Sequence, residues 1–255
     1  MTTLPRSPAE NIDRMRALLE PHITTSRGRD IFLVDADRTL CAEDTSRGFL
    51  SRAGGDPMAV KARFKELGYC FGSFRFHAQA HVELGSAVFD EIAPQVASEV
   101  VLHPGAVEFL AGAADRAAVF VVTSGIPGIW RSLLEDLGLG TVPVIGGIDP
   151  SAPFVFGRAE KGWLARAFQS GARTLVAVGD SDVDTEMLST ADHAVVVVNH
   201  RQNEDLVPHL QGHTSLHQVV PRGQPHPGIR EISFPQVAAL PDLPPPKTDH
   251  GATCP

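Results

Sequence analysis

The sequence has few cysteines, few lysines and no long apolar segment. Its three cysteines, Cys41, Cys70 and Cys254, are an odd number without the spacing of a metal site, which favours a reduced, cytoplasmic setting. No segment reaches the roughly 18 consecutive apolar residues that a membrane span requires, and the polar N-terminus does not resemble a secretory signal. The net charge of -8 argues against nucleic-acid binding, since such proteins normally carry an excess of basic residues.

Short apolar runs rich in β-forming residues recur along the chain and predict buried strands. They cover residues 31–34, 119–122, 142–145, 174–178 and 194–198. Helical patterns separate the later runs, and a capping box at Ser7 with Pro8 behind it predicts a first helix that ends near Glu20. Because strands and helices alternate, we expect an α/β fold with a doubly wound, Rossmann-like parallel sheet.

The first two predicted strands are separated by more than 80 residues, although a crossover connection needs only about a dozen. Amphipathic stretches at 58–67 and 74–84 predict helices in this excess. We therefore expect a core formed by residues 1–44 and 101–220, and a small helical cap formed by residues 45–100. The cap would cover the C-terminal edge of the sheet, where open α/β sheets bind their ligands.

The composition changes after residue 220. Residues 221–255 are rich in proline and show no sustained periodicity, which predicts a mobile tail. Within it, residues 232–234 form a short apolar segment that could dock on the body of the protein.

Four groups of polar residues lie at the predicted ends of strands or near the start of a helix. They are Asp35 and Asp37, then Thr123-Ser124-Gly125, then Lys161, and finally Asp180 and Asp184. Each group alone has an ordinary explanation: a turn after a strand, a lysine on the surface, or acidic residues at a helix N-terminus.

Together the four groups suit phosphate chemistry. Two carboxylates two positions apart, Asp35 and Asp37, can meet in one crevice, where one attacks and the other transfers protons. A hydroxyl group and exposed backbone N–H groups at Thr123–Gly125 suit a phosphate oxygen. Clustered carboxylates such as Asp180 and Asp184 repel one another, and they are the hard oxygen ligands that Mg²⁺ prefers.

In order and placement, the motifs Asp-x-Asp-x-Thr, Thr or Ser, Lys and Gly-Asp-Ser-x-x-Asp resemble the four-part signature of haloacid dehalogenase (HAD) superfamily hydrolases. The similarity covers roughly residues 30–198 and is greatest to the phosphoserine phosphatase-like branch. The long insert resembles the helical cap of these enzymes. Metal-independent dehalogenases of this fold lack the second aspartate, so Asp37 favours a phosphatase.

The resemblance implies a role for each motif. Asp35 would attack phosphorus to form an aspartyl-phosphate, and Asp37 would act as general acid and then as general base. A Mg²⁺ ion would bind the Asp35 carboxylate, the Asp37 backbone carbonyl and Asp180, and Asp184 would act through water or as a support.

The remaining motifs would hold the phosphoryl group. Lys161 and the Thr123 hydroxyl would neutralise and orient its oxygens, beside Gly125, although a shifted alignment gives Ser124 the role of Thr123. The resulting function is hydrolysis of a small polar phosphate monoester. A phosphomutase or phosphotransferase, and a catalytically silent protein that binds a phosphorylated metabolite, are the alternatives.

Three residues in the cap or at its junction with the core are candidates for substrate specificity. Asp44, followed by Thr45, occupies the spacing of a Glu-Thr pair in phosphoserine phosphatases, and Arg75 and His77 lie in a stretch that weakly resembles their cap arginine region. Aspartate instead of glutamate argues against phosphoserine itself, and exposed charges on a cap helix are the ordinary alternative. The expected partner is a small phosphorylated metabolite, bound by a monomer or a homodimer.

Overall fold

Seven parallel strands form one sheet in the computed structural model, which describes residues 3–199 and 203–243. The strand order is β3-β2-β1-β4-β5-β6-β7. The strands are β1 (Asp30–Asp35), β2 (Ala118–Thr123), β3 (Val144–Gly146), β4 (Thr174–Gly179), β5 (His193–Val197), β6 (Leu216–Val219) and β7 (Arg230–Glu231). Strand β1 lies at the centre, between β2 and β4, as the doubly wound order requires.

The sheet is buried on both faces. All six residues of β1 are buried, and they alternate: Phe32 and Val34 belong to one apolar cluster, whereas Ile31 and Leu33 belong to the other. A strand covered on both sides is expected to be a continuous apolar run, because both sets of alternating side chains face a packed layer.

Helices cover the two faces. Along one face lie α1 (Pro8–Thr25), α8 (Arg158–Gln169) and α9 (Thr185–Thr190), and along the other lie α6 (Ala106–Ala114) and α7 (Pro127–Asp136). Short helical segments occur at Asp182–Asp184, α10 (Asn203–Leu206), Val207–Leu210 and Leu240–Asp242. In the part of the chain that the structure describes, no helix is both long and apolar enough to cross a membrane.

The segment between β1 and α6 is helical. It contains α2 (Thr45–Arg52), α3 (Pro57–Leu67), α4 (Phe71–Val82) and α5 (Ser86–Ala97). The chain leaves and re-enters the core at one place, because Cys41 and Leu102 form an antiparallel β-bridge and the His103 amide donates to the Leu40 carbonyl at 2.8 Å. We call helices α2–α5 the cap.

The predicted fold class is confirmed. The differences concern the ends of two elements and two additional strands. Helix α1 continues past Glu20 to Thr25 through Pro21, and β3 begins at Val144 rather than at residue 142. Strands β6 and β7 were not predicted, because Leu216–Val219 contains a histidine and a glutamine and β7 has only two residues, both exposed.

The expectation of a mobile tail does not fit residues 221–243, whereas the docking expected for residues 232–234 is observed. Strand β7 and α11 (Phe234–Val237) pack on the body, where Phe234 is 1% exposed and its ring stacks 6.0 Å from that of Phe109. The buried Gln218 side chain donates to the carbonyls of Ile229 and His226, at 2.8 and 3.0 Å. These apolar and polar contacts offset the entropy of ordering the segment. Residues 244–255 lie outside the described residues.

We expect Phe234→Ala to destabilise the whole domain. The ring is fully buried against α6, so its removal should lower the free energy of unfolding by about 3–5 kcal/mol. Urea denaturation checks this, with Leu243→Ala as the control because Leu243 is 41% exposed. A loss below about 1 kcal/mol in Phe234→Ala would show that the segment contributes little to the fold.

Candidate active site

Side chains from four elements converge at the C-terminal edge of the sheet. Asp35 ends β1, Thr123 ends β2, Asp180 follows β4, and Lys161 lies in the first turn of α8. Parallel strands bring their carboxyl ends to one edge, so residues far apart in sequence meet there. They line a cavity of about 520 Å³ whose other wall belongs to cap helices α2, α3 and α4.

The centre of the site is a buried network around Asp35. One Asp35 oxygen accepts a hydrogen bond from the Lys161 ammonium, and the other accepts from the Thr39 hydroxyl at 2.8 Å. The same ammonium donates to Asp184 Oδ1 at 2.7 Å. Lys161 is 1% exposed and Asp35 is 6% exposed, so the charges interact with little screening by water.

Burial and like charges shift the protonation of this network. Burial raises the pKa of Asp35 to about 6, the Asp184 charge adds to the rise, and Lys161 opposes it. Burial, followed by the Asp35 charge, raises the pKa of Asp180 well above its usual value. Burial alone would lower the pKa of Lys161, but the Asp184 and Asp35 carboxylates outweigh it and raise that pKa. The lysine is therefore a fixed positive charge.

Three carboxylates of the site could hold a metal ion. Asp35, Asp180 and Asp184 each offer an oxygen, and these oxygens lie within 4.8 Å of one another. One ammonium group cannot neutralise three buried carboxylates, and an all-oxygen donor set suits a hard divalent cation. The second oxygen of Asp184 accepts from the backbone amides of Asp180 and Ser181, both at 3.2 Å. Asp184 therefore also fixes the loop that carries Asp180.

Asp37 lies in the same cavity with different partners. Its Oδ1 accepts from the Thr45 hydroxyl at 2.7 Å and from the Trp130 indole N–H at 3.2 Å. Burial, with a smaller contribution from the Asp44 charge, raises the pKa of Asp37 to about 7. A carboxyl group with this pKa can both give and take a proton near neutral pH.

The Thr123-Ser124-Gly125 segment lies beside Asp37. The Thr123 hydroxyl accepts from the Gly125 amide at 2.9 Å, and the buried Ser124 hydroxyl has no hydrogen-bond partner among the described residues. A Cβ atom on Gly125 would lie 2.2 Å from Ser46 Oγ and 3.1 Å from Asp37 Oδ2. Glycine therefore allows Ser46 and Asp37 to approach the backbone closely, and both candidate hydroxyls line the cavity.

The three cap candidates have different positions. His77 lines the cavity, and its Nδ1 is buried with no partner in the described chain. Asp44 also lines it, but its oxygens are engaged: Oδ1 caps α2 through the Arg47 amide at 3.1 Å, and Oδ2 pairs with Arg38 at 2.5 Å. The interpretation of Arg75 is wrong for this cavity. Its Nε donates to the Pro5 carbonyl at 2.9 Å, and the side chain lines a separate surface groove.

Several residues of the site were not predicted from the sequence. Trp130 resembles a core residue of an amphipathic helix, and nothing in the pattern shows that its N–H reaches Asp37. Asn199 donates to the carbonyls of Arg38 and Cys41, at 2.8 and 3.2 Å. This contact supports the loop after β1, where Arg38 has a φ of 64°, an uncommon conformation for a residue with a side chain. Only the position of Asn199 just after a predicted strand could have indicated this role.

A family model supplies the identification. The model described as haloacid dehalogenase-like hydrolase matches residues 32–189, which is more than half of the chain. The chain belongs to this family. The family predicted from the four motifs is thereby confirmed, and the HAD domain includes Asp35, Lys161 and Asp180. A second model, sucrose-6F-phosphate phosphohydrolase, matches only residues 157–227. The curated proteins contain no match.

Solved structures with low sequence identity share the HAD fold. A protein of unknown function from Bordetella pertussis Tohama I has a TM-score of 0.57 and 17% identity, over 81% of this chain and 99% of its own. A HAD family hydrolase from Salmonella enterica serovar Typhi has a TM-score of 0.51 and 17% identity, over 82% and 84%. A phosphoserine phosphatase from T. onnurineus has a TM-score of 0.50 and 12% identity, over 85% and 96%. At these identities the likeness shows the fold alone.

We expect Gly125→Ala to weaken binding of a phosphate-sized oxyanion. The added methyl group would clash with Ser46, Asp37 and Thr123 and displace these cavity-lining side chains, so the dissociation constant for inorganic phosphate should rise about tenfold or more. Calorimetric titration in the presence of Mg²⁺ measures this change. Gly128→Ala is the matched control, because its Cβ would meet only ordinary contact at 3.9 Å. Equal affinity in both variants would place the oxyanion elsewhere.

Proposed function

We propose that this HAD hydrolase is a magnesium-dependent phosphomonoesterase that forms an aspartyl-phosphate on Asp35. The observation that carries the proposal is the position of the Asp35 carboxylate. It is buried at the end of the central strand, it contacts Lys161, and it shares one cavity with Asp37 and the Thr123–Gly125 segment. This arrangement supports the proposal that Asp35 acts as nucleophile and Asp37 as acid–base group within one cavity.

The reaction proceeds in two steps. An Asp35 oxygen attacks phosphorus, the phosphorus–oxygen bond of the ester breaks, and Asp37 donates its proton to the departing alcohol. Asp37, now a carboxylate, takes a proton from a water molecule that attacks the aspartyl-phosphate. The bond between phosphorus and Asp35 then breaks and phosphate leaves. The hydrogen bonds from Thr45 and Trp130 hold the Asp37 side chain in place for both proton transfers.

The site must also offset repulsion between a carboxylate and a phosphate dianion. Lys161 supplies one fixed positive charge next to Asp35, and backbone N–H groups around Ser124 and Gly125 can donate to non-bridging oxygens. Asp35 and Asp180 would hold Mg²⁺ with the Asp37 backbone carbonyl, and Asp184 would support them. When bound, the ion supplies positive charge for the attacking and non-bridging oxygens.

The chemistry of the cavity favours a small phosphorylated metabolite as the partner, with the enzyme acting as a monomer or a homodimer. Cys41 and Cys70 form no disulfide within the part of the chain that the structure describes. Free thiols are typical of a reducing compartment, so we place the enzyme in the cytoplasm.

We expect Asp35→Asn to abolish phosphate release from any ester while the fold is retained. The amide has nearly the same shape but cannot form the acyl-phosphate. Phosphate release and circular dichroism are the measurements. Asp30→Asn is the matched control, because Asp30 lies at the opposite end of β1 and pairs with Arg173, and it should retain activity. Turnover near wild type in Asp35→Asn would remove Asp35 from the role of nucleophile.

We expect Mg²⁺ to stabilise the protein and to be required for turnover. A bound cation relieves repulsion among the buried carboxylates, so saturating Mg²⁺ should raise Tm by about 3 °C or more. Thermal unfolding measures the shift, and chelation should stop phosphate release. Asp180→Asn should lose the shift, whereas Asp182→Asn, in the same loop but paired with Arg158, should keep it. Turnover that survives exhaustive chelation would contradict the metal requirement.

A further inference from the structure

Helix α3 presents a mixed face to the active-site cavity. Met58, Lys61, Phe64 and Lys65 all line the cavity. Each of them is three or four residues from another of the four, so they share one side of the helix. This side alternates apolar and positively charged groups. In the proposed function, Lys161 and the Thr123–Gly125 segment bind the phosphoryl group. The groups on α3 are not needed for that task.

The positive charges on this wall are concentrated and unpaired. The chain has a net charge of -8 and only four lysines, yet three of them, Lys61, Lys65 and Lys161, line this cavity. Arg47 on α2 adds a further charge. Within residues 3–199 and 203–243, no ion pair involves Lys61, Lys65 or Arg47, although Arg38 nearby pairs with Asp44. Cations that line a cavity and form no ion pair among these residues favour an anionic ligand.

The apolar side chains of this wall are also left partly exposed. The rings of Phe64, Tyr69 and Phe74 form a cluster with centroids 5.0–6.1 Å apart. Tyr69 is nevertheless 42% exposed, and Met58 is 59% exposed. Large apolar groups exposed on the wall of a cavity indicate that a ligand covers them. An aromatic ring fits such a cluster by offset stacking or edge contact.

The volume of the cavity leaves room for this ligand. About 520 Å³ lies within the range of roughly 300–1,000 Å³ in which drug-sized molecules bind. Core residues and residues of α2, α3 and α4 line the same cavity. When the core residues bind the phosphoryl group, as in the proposed function, the cap residues are left to contact the alcohol part of the ester.

We propose that the preferred substrate is a phosphate monoester whose alcohol carries an aromatic ring and a second anionic group. The ring packs on Phe64, Tyr69 and Met58, and Lys61, Lys65 and Arg47 bind the second anion, which is a carboxylate or a second phosphate. This inference rests on the proposed function, since it assigns the substrate class of the same site.

The test compares three esters that separate ring from anion. Phenyl phosphate has the ring alone, phosphoglycolate has a second anion alone, and 4-carboxyphenyl phosphate has both. In the double variant Lys61→Gln/Lys65→Gln, kcat/KM on 4-carboxyphenyl phosphate should fall about tenfold further than on phenyl phosphate. Comparing each variant with wild type on one ester cancels the intrinsic reactivity of that ester. Benzene-1,4-diyl bisphosphate tests a second phosphate in place of the carboxylate.

Two further variants complete the design. Arg63→Gln is the matched control, because Arg63 lies on the same helix, does not line the cavity and pairs with Glu66. It should leave the ratio between esters unchanged. Tyr69→Ala should lower kcat/KM on both aromatic esters relative to phosphoglycolate. Because Tyr69 is 42% exposed, this substitution should leave the fold intact.

The possible outcomes are distinct. An equal fall on all esters in the lysine variant would mean that the lysines only attract phosphate, and would overturn the proposal, as would no fall at all. Calorimetry of the same esters with the Asp35→Asn protein repeats the comparison without turnover. Selective binding of 4-carboxyphenyl phosphate without hydrolysis by the wild type would support the substrate class and overturn the phosphatase function. Hydrolysis of all the esters without selectivity would support the phosphatase function and overturn the proposed substrate class.

Discussion

The contact of one buried ammonium with two buried carboxylates is the interaction on which the site depends. Lys161 lies between Asp35 and Asp184, and all three side chains are almost fully buried. Breaking such a pair by removing one partner costs about 3–5 kcal/mol, because a charge is left without compensation. The pairing of β1 with β4 and the position of α8 set this geometry. A change in the register of the sheet would therefore also disturb the charge balance of the site.

The sequence could predict much of this because its local signals agree with the topology. Apolar runs identify the central strands, and the carboxyl ends of parallel strands meet at one edge. The sequence alone thus predicts that Asp35, Thr123 and Asp180 lie at the same edge of the sheet. The roles of these residues came from the family resemblance. The family match confirms the resemblance, and the geometry shows that Lys161 contacts Asp35.

Side-chain direction was not predictable from the same patterns. Arg75 was expected in the cavity, yet it contacts the backbone of Pro5, 70 residues earlier. The indole of Trp130 reaches Asp37 across 93 positions, and Gln218 holds a segment that its composition suggested was mobile. The contacts of Arg75 and Trp130 each join distant parts of the chain through one hydrogen bond. Periodicity describes which face a residue occupies, but it does not show which polar atom lies opposite.

The bridge between Cys41 and Leu102 has a consequence for how such an enzyme can diverge. The two ends of the cap are already neighbours on the surface of the core. Lengthening the intervening chain adds little closure entropy, since each doubling of a loop costs only about 0.6 kcal/mol. Helices can therefore be added, lost or exchanged between these two residues while the strands keep their pairing. Evolution can in this way alter which ligand the cavity accepts while the network around Asp35 is inherited intact.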